Sequence, residues 1–208
     1  MDARLYRHVR RSLTGLLVGA FLAGGVWGSP LASARPGAAA QADVPPQEPG
    51  VTLRVFDVQV PLEKICTLKP GQTPNVDRLA PVVDFTSTAD FGGIADNFVS
   101  QVTGNVHVPA PGSYTFRLTS DDGSRLLIDD QVVIDHDGLH GAEPKDGTVE
   151  LTEGMHALRI DHFERGGGEQ LTLAWQPPGA DGFTTVPNEA LSTDAGVVRV
   201  TAPGRKEC

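Results

Sequence analysis

The chain has 208 residues, with 26 acidic against 17 basic side chains and a net charge of −9. That length accommodates one domain of ordinary size plus extensions. A surface this acidic repels phosphate backbones and anionic lipid, which argues against nucleic-acid binding.

The first elements are not domain-like. Arg4, Arg7, Arg10 and Arg11 precede an apolar, uncharged stretch from Leu13 to Trp27, and small residues ending in Ala32-Ser33-Ala34 follow. That order predicts a secretory signal peptide over residues 1–34. An uncleaved membrane anchor is the alternative, but the apolar part is short for a span and Pro30 sits just ahead of the cut. Cleavage removes four arginines and one acid, Asp2, and takes the net charge from −9 to −12. The mature chain is then expected to be secreted and free of the membrane. An acidic exported protein is a natural host for Ca²⁺, which prefers carboxylate and carbonyl oxygens.

Residues 35–50, RPGAAAQADVPPQEPG, are rich in Ala and Pro without apolar periodicity and read as a disordered linker. From Val51 to Asp194 short β-branched and aromatic runs alternate with Gly, Pro, Asp and Asn. This spacing predicts an all-β fold, an antiparallel sandwich or barrel. Tyr114, Phe116 and Leu118 share one face of YTFRLTS; Leu171, Leu173 and Trp175 alternate likewise in QLTLAW, where Trp175 reads as core. Asp129-Asp130 predicts a tight hairpin, and Pro111-Gly112 and Glu153-Gly154 predict turns. Short helical turns are allowed only at Asn75–Val83 and Asn188–Leu191. Residues 195–208 form a polar tail, either the cut end of a larger modular protein or a segment pinned by its last residue. Cys66 and Cys208 allow one intramolecular disulfide, expected in an oxidising compartment.

The chemistry concentrates in YTFRLTSDDGSRLLIDDQVVIDHDG. Neighbouring side chains on a strand point to opposite faces, so Asp121 and Asp122 meet at one ion only if the backbone turns sharply between them. The bland alternative is a polar turn in which Asp121 caps backbone N–H groups and Asp122 faces solvent. Asp135-His136-Asp137-Gly138 is not an EF-hand, because its glycine falls too early and no acid closes the loop. The histidines form no zinc motif, and His162 reads as a satisfied strand histidine. Gly166-Gly167-Gly168 lacks the lysine and helix of a phosphate loop. Without Gly-x-Ser-x-Gly or His-Glu-x-x-His, the chain does not read as an enzyme.

Two stretches, FVSQVTGNVHVPAPGSYTFRLTSDDGSRLLIDDQVVID and GTVELTEGMHALRIDHFERGGGEQLTLAWQPPG, carry a resemblance. Together, over Asn97 to Pro177, they resemble the PA14 domain, with residues 51–96 fitting loosely as its first strands. The resemblance implies a calcium-dependent carbohydrate-binding module. In sugar-binding members paired aspartates joined by a cis peptide hold Ca²⁺, which ligates sugar hydroxyls; those positions fall on Asp121 and Asp122. A second loop completes the coordination, here Glu164-Arg165-Gly166-Gly167-Gly168-Glu169, with Glu164 and a Gly167 carbonyl as candidate ligands. It lacks the Asn or Gln that some members place there. His136, Asp137, Arg165 and Gly166 are then the expected carbohydrate contacts. Other members are structural parts of larger proteins, so the competing expectation is a structural or protein-interaction module with no sugar ligand.

Overall fold

A computed structural model describes residues 45–208. The predicted leader and residues 35–44 of the predicted linker lie outside the described residues. Among the described residues, no helix is long and apolar enough to cross a membrane.

Two antiparallel sheets make a sandwich. The larger has eight strands: β1 (Gln47–Pro49), β2 (Val51–Asp57), β3 (Val76–Ala80), β5 (Phe98–Val108), β7 (Ser124–Ile128), β8 (Gln131–His136), β10 (Gly154–Glu164) and β13 (Leu191–Asp194). The smaller has five: β4 (Asp84–Phe85), β6 (Gly112–Asp121), β9 (Glu143–Leu151), β11 (Gln170–Gln176) and β12 (Thr184–Thr185). β5 is the hub of the large sheet. One edge pairs along its whole length with β10; the other is shared, β2 taking Phe98–Thr103 and β13 taking Asn105–Val106. Gly104 sits at the handover, where a Cβ would lie 2.7 Å from the Ser192 carbonyl oxygen, so a side chain there would push the strands apart.

The core follows from period-2 patterning. On β6, Tyr114, Phe116 and Leu118 are buried, as are Leu171, Leu173 and Trp175 on β11. They pack against Leu53, Val102, Leu126 and Ile160 of the large sheet. Each fully buried side chain of this size contributes roughly 1.5–3 kcal/mol. The outer face of the large sheet is not bare. Segment 58–74 folds over it and buries a second cluster of Phe56, Val58, Leu62, Val99 and Phe163. This is why β10 loses its alternation at its end, where Asp161 to Glu164 are all buried.

The expectations need two corrections. Residues 47–49 are not linker: they pair with Ser192–Asp194, and the Gln47 side chain both donates to Asp194 Oδ1 (2.7 Å) and accepts from Asn105 (3.0 Å). Asn75–Val83 holds no helical turn; Val76–Ala80 ladders with Val51–Val55 instead. The Asn188–Ala190 turn is 3-10 helical, as expected. The tail is pinned: Cys208 is bonded to Cys66 across 142 residues of sequence. Lys206 N donates to Asp57 O (2.7 Å) and Lys69 N to Glu207 O (3.0 Å), and the Lys206 ammonium caps the Ala202 and Pro203 carbonyls.

Candidate metal centre and the loops around it

Three connections cross from one sheet to the other at the same end of the sandwich. β6 passes to β7 through Asp122 and Gly123, β8 to β9 through residues 137–142, and β10 to β11 through residues 165–169. Crossovers are where polar side chains leave the pleat, so this end collects charge without disturbing the core.

The Asp121–Asp122 peptide is cis. Successive carboxylates therefore turn to the same side rather than to opposite faces. Together with Glu164, the last residue of β10, they place carboxylate oxygens within 4.8 Å of one another. Asp122 does not face solvent, contrary to the polar-turn alternative. It is buried, its Oδ1 accepts the His140 N–H (3.2 Å), and its Oδ2 accepts the Arg165 N–H (3.0 Å). Both other crossovers thus dock on this one carboxylate. Gly123 permits the packing: a Cβ there would lie 2.6 Å from the Phe163 ring and 2.7 Å from the Gly138 backbone.

Glu164 is fully buried; Oε1 accepts the Gly166 N–H, while Oε2 has no hydrogen-bond partner. Burial, then the nearby Asp122 charge, pushes its pKa up to about 8. Asp121 is raised for the same two reasons in the same order, with His140 countering. A buried carboxyl with an orphaned oxygen, facing two more carboxylates, is electrostatically incomplete. An all-oxygen donor set of this kind fits a hard divalent cation: one double positive charge would relieve the mutual repulsion and give Glu164 Oε2 a partner.

His162 supports the turn from beneath. Its Nε2–H donates to the Asp121 carbonyl (2.9 Å) and its Nδ1 accepts from the Ser100 hydroxyl (2.8 Å). It is fully buried, not partly, and burial pushes its pKa down to about 4, so the ring stays neutral. Alternation along the strand placed His162 inward, but nothing local in the sequence says that it holds the Asp121 carbonyl.

The other predicted residues scatter around the rim. The His136 ring stacks on His140 at 3.9 Å and 16°, and burial, then the His140 neighbour, holds its pKa below the ordinary value. Arg165, Gly166 and Gly167 are exposed on the loop, with Gly167 at φ 125°. Asp137 is engaged elsewhere: Oδ1 accepts the N–H groups of Ile65 (2.8 Å) and Gly138 (3.0 Å), tying the 137–142 crossover to the segment beside Cys66.

The chain matches the PA14 domain family over residues 47–189. No curated protein matches it. Among solved structures, the PA14 domain of the MpAFP antifreeze protein superposes with a TM-score of 0.62 at 15% identity, covering 75% of this chain and 96% of that one. A PA14 sugar-binding domain from an RTX adhesin gives 0.59 at 20% identity, covering 70% and 98%. An anti-sigma factor domain-containing protein gives 0.61 at 19% identity and 74% coverage of this chain, which spans only 51% of that protein. With two antiparallel sheets, the cis Asp121–Asp122 turn and a family match over most of the described residues, this chain belongs to the PA14 domain family.

Proposed function

We propose that the domain is an exported, calcium-dependent carbohydrate-binding module that uses the Asp121–Asp122–Glu164 end of the sandwich. The observation carrying this reading is the convergence of three carboxylates from two crossovers, one of them buried with an oxygen that has no partner. A sugar-binding domain among the structural neighbours supports it, as does the arrangement of the N-terminal residues.

Asp121, Asp122 and Glu164 are the residues that would hold the ion, with a Gly167 carbonyl from the exposed loop as a fourth donor. When bound, calcium supplies flexible coordination in which vicinal sugar hydroxyls can replace water. The chain's own work is placement. The His162–Asp121 bond and the two backbone donors on Asp122 hold the carboxylates in position, so little ordering is left to occur on binding. His136, Arg165 and Gly166 then stand at the rim as the sugar contacts. Asp137 acts at one remove, by anchoring the crossover that carries His140. The donors are all oxygen and converge on one point, which suits the cluster to holding a cation.

The test is a thermal-shift titration followed by a glycan array. Calcium at about a hundredfold over Kd should raise Tm by about 5–10 °C, EDTA should reverse this, and Asp122→Asn should abolish both the shift and any calcium-dependent glycan signal. Identical melting in calcium and EDTA would sink the proposal and leave a structural module.

A further inference from the structure

The outer face of the large sheet carries a second concavity, built from residues the carboxylate cluster does not use. Segment Ile65–Gln72 borders a half-open cavity of about 380 Å³ over the sheet. Its floor is Gln101, Arg125, Arg159 and Asp161, with Phe56 and Val99 on the apolar side. The segment is held from several points. Cys66 is bonded to Cys208, Gln72 Nε2 donates to Glu207 O (2.6 Å), and the Ile65 N–H donates to Asp137 (2.8 Å). The cavity is therefore preformed, and its volume lies in the range of small-ligand sites, which begins at roughly 300 Å³.

Lys69, Arg125 and Arg159 line the cavity, against Asp161 as the sole acid of the lining. Asp161 is already engaged: Oδ1 accepts from Gln101 Nε2 and Arg159 Nε, both at 3.0 Å, and Oδ2 faces Arg159 Nη2 at 2.8 Å. Lys69 pairs with Glu207 at the surface, where it remains 60% exposed. Arg125 is the under-satisfied cation. Its Nη2 reaches Asp135 only at 3.3–3.4 Å and Asp137 at 3.9 Å, and its Nε is buried with no acceptor. That Nε is out of reach, and it is the Nη1 end, without a partner among the described residues and not buried, that is open to an oxyanion in the cavity.

We infer that this cavity binds a small oxyanion-bearing ligand, a carboxylate or sulfate with room for one sugar ring, through Arg125, with Lys69 and Arg159 around the charge. Phe56 and Val99 offer an apolar wall to the ring's C–H face, and Gln101 a polar one to its hydroxyls. The site is independent of calcium, so it is tested with the metal removed. In EDTA, glucuronate, glucose and inorganic sulfate are titrated into the full domain, with amide chemical shifts as the readout.

Glucuronate should shift amides around Arg125 and Gln101, and glucose should not. Arg125→Gln, checked for folding by its melting curve, should weaken glucuronate by about tenfold or more, and the exposed Lys69→Gln should weaken it less. Competition by sulfate at similar concentration identifies a general oxyanion site; its absence identifies an acidic sugar. No response to either glucuronate or sulfate, equal binding of glucose, or full glucuronate affinity in both variants overturns the inference. Asp122→Asn, which disables the metal centre, should leave glucuronate binding intact, so the two readings fail separately.

Discussion

Glu164 and His162 occupy neighbouring buried positions with pKa shifts of opposite sense for charge, and together they set a pH signature. Glu164 is held near pKa 8 against an ordinary 4.5, so its folded state favours the protonated form. Its contribution is full below pH 4.5 and is lost as pH rises to 8. His162 is held near 4 against 6.5, so its folded state favours the neutral ring. That contribution, on the order of 3 kcal/mol, is absent below pH 4 and complete above 6.5. The two trends oppose each other between pH 4.5 and 6.5, and of the two only Glu164 still changes above that. Calcium-free protein should therefore melt at a near-constant temperature from pH 4.5 to 6.5 and progressively lower from 6.5 to 8. Calcium should remove the upper fall, and so should Glu164→Gln without calcium. A fall that persists in Glu164→Gln would place its origin in another group.

At the scale of elements, what could be read depended on whether a strand's partner lies in its own pattern. β6 and β11 were legible because one face meets the core and the other meets water. The β7–β8 hairpin was legible because Asp129 and Asp130 tolerate positive φ, observed at 49° and 62°. β1 was not, since Gln-Glu-Pro has no pattern and its ladder lies on Ser192–Asp194, far along the chain. The Asp121–Asp122 pair was visible as adjacent acids, and Glu164 through the loop it opens. The engagement of Asp137 was not visible, because its acceptor role depends on segment 58–74 folding over the sheet. That engagement makes a prediction: Asp137→Ala frees the crossover whose His140 N–H docks on Asp122. Calcium affinity by calorimetry should drop by about tenfold in a variant that still melts cooperatively. Unchanged affinity would show that the crossover holds its place without the anchor.

The whole molecule is closed on itself by one covalent bond. The two cysteines were readable as a pair from their number alone, but the backbone bonds from Lys206 and to Glu207 that pack the tail were not. The position of that bond governs how the domain answers to tension. A pull between residue 45 and residue 208 travels along the chain only as far as Cys66 and then jumps the sulfur bridge, so the chain between the two cysteines, with the three crossovers at the carboxylate end, stays out of the covalent force path. Stretched singly by atomic force microscopy, the oxidised domain should lengthen by about 70 Å at most, the reach of β1, β2 and the chain up to Cys66. After reduction it should release on the order of 500 Å. Pulled between these two points, the end that carries the carboxylates keeps its length for as long as the disulfide is intact.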